Sequence, residues 1–142
     1  MKKLAIVVLL VVAACNRRHA VTGGSGAPTA RDAVVLFLAA AKAQDTDAFA
    51  RAWGSASGPA LGTWSREERE QRAFILMKCL RHDRYRILNE MPSTSGERIL
   101  SVELNLRDLT ASSDFTAVQG PGARWYVQGF KPEDLQAICV SR

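Results

Sequence analysis

Apolar residues in this chain follow three rhythms. From Leu4 to Ala14 they run without a break, between positions 30 and 80 they return every three or four residues, and around position 100 every second residue. The middle rhythm predicts helices and the last predicts strands. Ala30, Ala33, Val34, Phe37 and Ala41 form one stripe, and Val35, Leu36 and Leu38 make that helix apolar nearly all round, the pattern of a helix covered on more than one side. Pro28-Thr29, with Asp32 three residues after Thr29, marks its start. Asp45 opens a short second helix that carries Phe49 and Trp53 on one face. Residues 54–63 read as loop. Ser65-Arg66-Glu67-Glu68 is a capping box for a third helix. Glu67, Glu68 and Glu70 suit its positive end, and Lys78 and Arg81 its negative end. Phe74, Met77 and Leu80 or Arg81 mark its buried stripe, and Glu68 and Arg72 stand at ion-pair spacing.

Beyond this helix the period changes to two. Leu100, Val102, Leu104 and Leu106 alternate with Ser101, Glu103, Asn105 and Arg107, a half-buried strand. Residues 85–91 give a strand before it. Residues 114–119, the turn Gly120-Pro121-Gly122 and residues 124–130 give a hairpin after it, and residues 132–138 a last helical turn. Helices followed by an antiparallel meander define a single α+β domain over 28–142, with the helices on one face of the sheet.

The first rhythm has a different meaning. Lys2-Lys3 precede eleven apolar residues, which as a helix rise about 16 Å against a hydrocarbon layer of about 30 Å. That is too short to span and right for a secretory signal peptide over 1–14. Val12-Ala13-Ala14-Cys15 then resembles the lipobox of bacterial lipoproteins. The resemblance implies cleavage before Cys15 and a diacylglyceryl thioether on its sulfur, so that the protein's partner is the membrane, held through lipid. Two or more acyl chains anchor a small domain durably where one does not. The alternative is an ordinary signal peptide cut elsewhere, with Cys15 nearby by coincidence. Residues 15–27 read as a lipidated cysteine and flexible tether, with Gly23-Gly24-Ser25-Gly26 as linker chemistry. Asn16 after the lipidated position resembles the outer-membrane sorting pattern of enteric bacteria. The implied address is the bacterial cell envelope, on the outer membrane facing the periplasm.

Composition narrows the function classes. With 47% apolar residues in 142, the chain supplies one modest core. Once Lys2 and Lys3 are cleaved off, 17 basic residues face 14 acidic ones, a net +3 that is no nucleic-acid footprint. The arginines and lysines at 66, 69, 72, 78, 81, 84 and 86 are interleaved with acids and read as a solvated helix face. With Cys15 lipidated, Cys79 and Cys139 remain as an even pair in an oxidising compartment. A bridge between them closes a loop of about 60 residues, while the alternative is two buried free thiols.

Catalytic and metal signals are sparse. His19 lies in the tether and His82 stands alone; there is no Cys-x-x-Cys or His-x-x-x-His, and neither a metal nor another cofactor is expected. Gly54-Ser55-Ala56-Ser57-Gly58 mimics a nucleophile elbow, but Ala56 occupies the nucleophile's place. His82, Asp83 and Tyr85 are the candidates for any acid–base chemistry, although a histidine at a helix end is equally a dipole partner. Trp53, Trp64, Trp125 and Tyr126 either line a pocket or belong to the core.

The order of a buried helix, the stretch Gln44-Asp45-Thr46-Asp47-Ala48-Phe49-Ala50-Arg51-Ala52-Trp53, a third helix, and a terminal sheet ending in Arg124-Trp125-Tyr126-Val127 resembles the nuclear transport factor 2-like (cystatin-like) superfamily over residues 28–139. The resemblance implies a curved sheet wrapped around helices into a cone with a hydrophobic pocket. Many members place a strand where residues 54–63 read as loop. Enzymes of the superfamily, such as ketosteroid isomerase, use a pocket acid with Tyr or His partners, and no acid here matches that pattern. The expected function is therefore a lipid-anchored envelope domain that binds a small apolar ligand or an envelope protein without catalysis. The other two readings are a small isomerase or hydrolase using the pocket and a purely structural envelope component.

Overall fold

Each long helix begins at the cap its sequence supplies. In the computed structural model, which describes residues 24–142, the Thr29 hydroxyl accepts the Asp32 N–H at 3.1 Å to open α1 (Ala30–Ala43). The segments read from sequence as signal peptide, lipidated Cys15 and the first part of a tether lie outside the described residues. Asp45 caps α2 (Thr46–Ala52) through the Ala48 N–H at 2.9 Å. Helix α1 buries the expected stripe together with Leu38, but Val35 stays 37% exposed and Ala39 faces solvent. The sheet and α2 cover two of its sides, so its all-round apolarity overstates its burial.

The segment read as loop carries structure. Strands β1 (Gly54–Ser55) and β2 (Gly58–Pro59) pair antiparallel, and the single turn α3 (Ala60–Thr63) follows. Two-residue strands are too short to show any periodicity. Helix α4 (Arg66–Cys79) has both halves of its capping box. Its buried stripe is Ala73, Met77 and Leu80 rather than Phe74, which is 73% exposed. Phe74 sits one residue, about 100°, round the helix from Ala73, which takes the buried position in its place.

Strands β3 (Arg84–Pro92), β4 (Arg98–Leu106), β5 (Leu109–Gln119) and β6 (Trp125–Gly129) form an antiparallel sheet in chain order. Leu100 pairs with Phe115, Val102 with Ser113 and Leu104 with Ala111 on the helix side. Ser101 and Glu103, opposite Asp114 and Ser112, stand on the polar side. Bulges at Leu88 in β3 and Gln128 in β6 shift the register and bend those strands. A turn over Pro132–Leu135 and helix α5 (Gln136–Cys139) end the chain, and a disulfide joins Cys79 to Cys139, with their Cα atoms 4.0 Å apart. Arg81 reinforces that closure by donating to the Ile138 carbonyl at 3.0 Å and to Ser141.

The two sheet edges are treated differently. The outer edge of β6 is covered: Ala27 exchanges two backbone hydrogen bonds with Trp125, and Trp53 forms a parallel bridge to Val127. Ala27, read as the last residue of the tether, is thus fully buried, and the tether ends before it. Gly26 is part of this docking. At φ 70°, with the Tyr126 ring 2.8 Å from where a Cβ would stand, only glycine fits. Among the described residues the edge of β3 has no such cover, and it is blunted instead by its bulge, Arg84, Arg86, Glu90 and Pro92.

Between the helices and the sheet the space is filled by phenylalanines. Phe37 stacks on Phe49 at 4.2 Å between centroids, Phe115 stacks on Phe130 at 5.2 Å, and Phe37 meets Phe115 edge-on at 6.3 Å. Phe37, Phe49 and Phe115 are fully buried.

Candidate functional site

The histidine, aspartate and tyrosine singled out from sequence meet in one open groove of about 720 Å³ between the end of α1 and the start of β3, with Lys42, Arg86 and Glu103 on its walls. His82 follows α4 directly, and its Nδ1 lies 2.7 Å from the Leu80 carbonyl oxygen. That carbonyl can only accept, so the neutral ring carries its proton on Nδ1. Nε2 has no protein partner, yet among the described residues no buried side-chain nitrogen or oxygen lacks one, so Nε2 opens to the groove. The Tyr85 ring stands edge-on to the imidazole at 5.5 Å.

Asp83 does not orient this histidine. Its Oδ2 accepts the Arg107 N–H at 2.7 Å, its N–H donates to the Asn105 carbonyl at 2.7 Å, and its own carbonyl accepts Lys42 Nζ at 2.9 Å. These bonds brace the turn after β4, where Arg107 takes a φ of 53°. His82 and Asp83 are adjacent in sequence but form no acid–base relay.

Burial pushes the His82 pKa down, assisted by the Lys42 charge and opposed by the Leu80 carbonyl and Asp83. The unfolded chain therefore takes up this proton at a higher pH than the folded one. Stability from this group is complete above about pH 6.5, the ordinary histidine value, and is lost as pH falls from there towards the lower folded value. Thermal melts from pH 7.5 to 5 should show a falling midpoint, and His82→Gln should flatten that part of the profile. An unchanged slope in the variant would assign the acid sensitivity to other groups.

A second opening lies between α4 and the end of β6. Its apolar lobe, about 300 Å³, is walled by Phe37, Trp53, Ile75, Leu76 and Phe130. A neighbouring lobe of about 330 Å³ presents Ser55, Thr63 and Trp64, and Trp53, Arg72 and Gln128 border both. Trp53 and Trp64 meet edge to face at 4.4 Å, and the Arg72 guanidinium lies 4.5 Å over the Trp64 ring. Sequence spacing pairs Arg72 with Glu68, but no such ion pair forms. Glu68 Oε2 instead accepts the Ser65 N–H at 3.1 Å and the Ser65 hydroxyl at 2.9 Å, bonds that also lower its pKa. Among the described residues Arg72 has neither a hydrogen bond nor a carboxylate within 4 Å.

Of the four aromatics considered from sequence, Trp53 and Trp64 line this cleft. Trp125 and Tyr126 do not: Tyr126 is buried against Gly26, Gly54 and Gly120 on the opposite side of β6 from Val127. Arg72 and Gln128 escaped sequence reading. The available signal for Arg72 was that the capping box and the i,i+4 pair compete for the same Glu68 carboxylate. No family model, curated protein or solved structure matches this chain.

Proposed function

We propose that the protein is a lipid-anchored domain of the bacterial cell envelope that binds a ligand without transforming it, and that the cleft beside Arg72 is where it binds. The observation that carries this reading is the contrast between the two parts of the aromatic cluster. The interior is filled by stacked phenylalanines, whereas Trp53 and Trp64 leave an open cleft bordered by Arg72, whose guanidinium makes no hydrogen bond among the described residues. A catalytic reading has less support, because Asp83, the carboxylate next to His82, is engaged with Arg107 and the imidazole is held by the Leu80 carbonyl instead.

The disulfide supports the extracytoplasmic side of the envelope, since such bonds persist in oxidising compartments. The finer reading of the fold, a nuclear transport factor 2-like cone, is supported by the short hairpin at Gly54–Pro59. It supplies strands where the family places them, and it packs beside β6. Anchoring through Cys15 and delivery to the outer membrane rest on the lipobox and on Asn16.

Intact-mass analysis of the protein purified from membranes of its native host tests the anchor. The expected species starts at Cys15 and carries a diacylglyceryl group, and Cys15→Ala abolishes both features. A bare thiol at Cys15, or a chain still beginning at Met1, overturns the anchoring.

A further inference from the structure

From the two-lobed cleft we infer a ligand class: a small anionic amphiphile, with an aromatic or aliphatic body and one carboxylate. This deepens the binding reading above and rests on the same cleft. The apolar lobe sets the body. At about 300 Å³ and open on one side it admits a body the size of a phenyl ring with a short chain, and its walls are aromatic and aliphatic side chains that gain from displacing water. Trp53 and Phe130 favour a flat or flexible apolar group over a branched polar one.

The charge is set by Arg72. It stands on the border between the lobes, where a group projecting from the apolar lobe would arrive. Its guanidinium lies 4.5 Å over the Trp64 ring, which holds it at the border, and its fork of N–H groups suits a two-oxygen acceptor. Gln128, on the same border, adds an amide donor. Neither nearby acid hydrogen-bonds Arg72: Glu68 turns Oε2 to Ser65 and acts on the guanidinium only through space, and Asp114, beyond the Gln128–Gly129–Phe130 segment, accepts the Ser101 hydroxyl at 2.5 Å. The cleft therefore offers guanidinium N–H donors that no acceptor among the described residues has taken, beside an apolar wall, the complement of a carboxylate on a hydrophobic stem.

The test compares 4-phenylbutyrate with 4-phenylbutan-1-ol, which share a body and differ in the charged head. Binding is measured by calorimetry on the full chain in lipid nanodiscs, with empty discs as the blank. The carboxylate should bind at least tenfold tighter than the alcohol, the scale of a charge-assisted hydrogen-bond pair. Arg72→Gln should erase that preference, bringing the affinity for the carboxylate down to that for the alcohol measured on the same variant. Ile75→Asp, at a position 64% exposed on the wall of the apolar lobe, should weaken both probes, the carboxylate more than the alcohol. Equal binding of both probes, a preference that survives Arg72→Gln, or binding of neither probe overturns the inference. Equal binding would leave an apolar binding cleft standing, and binding of neither would remove the cleft as the site. The mass measurement on Cys15 reads the anchor independently of all three outcomes.

Discussion

Replacing Cys79 and Cys139 together by serine is expected to lower the unfolding free energy by about 4 kcal/mol, with a drop in melting temperature on the order of 10–20 °C. The bond closes a loop of 60 residues containing the whole sheet, so its loss returns to the unfolded chain the freedom of that entire segment. The folded side of the balance changes less. Leu135 and Ile138 are fully buried, and Arg81 still donates to Ile138 and Ser141, so α5 stays docked once the domain is folded. The effect should therefore appear as a lower midpoint with the same native spectrum, not as a loosened native state. Wild-type protein melted in excess reductant should converge on the double variant. Unchanged melting under reductant, or two alkylatable thiols in the oxidised protein, would remove the bond from the account.

Much of this architecture is written in local chemistry that sequence exposes. Thr29, Asp45 and Ser65 each start a helix because their side-chain oxygens satisfy N–H groups within the next three residues, a relation visible as spacing. The alternation through β4 is equally visible, because one face meets the core and the other meets water. What stayed hidden depends on residues distant in the chain. Gly26 looks like linker glycine and is instead the residue that lets Tyr126 pass, a contact across 100 positions. Ala73 displaces Phe74 from the buried face because of what α4 packs against, and periodicity alone cannot choose between neighbours differing by 100°.

The candidate site divides along the same line. Trp53 and Trp64 stand out by type, but their joint wall exists only because the hairpin and α3 bring residue 64 back over residue 53. Among the described residues Arg72 keeps its N–H groups free while Glu68 turns Oε2 to Ser65, a competition between two local rules that each hold separately. His82 and Asp83 show the converse. Their adjacency is plain in sequence, and their separation of roles follows from Arg107 and Leu80, which the chain supplies from different elements.

Phe37→Ala should cost about 3–5 kcal/mol, comparable to losing the disulfide but by a different route. Phe37 is fully buried between Phe49 and Phe115 and also touches Phe130 edge-on at 6.4 Å, so its removal strips a partner from three rings at once. The rings belong to α2, β5 and the segment just after β6, elements tied into the rest of the fold, and they cannot collapse fully into the gap. Phe37→Leu, which keeps most of the volume, should cost clearly less. The alanine variant also bears on the claim that the interior is filled. If Phe37 is the plug, the new apolar space should take benzene, and at ten times its Kd the ligand should return about 1.4 kcal/mol of stability. Because Phe37 also lines the apolar lobe of the Arg72 cleft, the same variant should accept phenylalkanoates longer than the wild-type protein tolerates. A small loss of stability with no benzene effect would mean that the neighbouring rings close over the gap, and the interior would then be adaptable rather than close-packed.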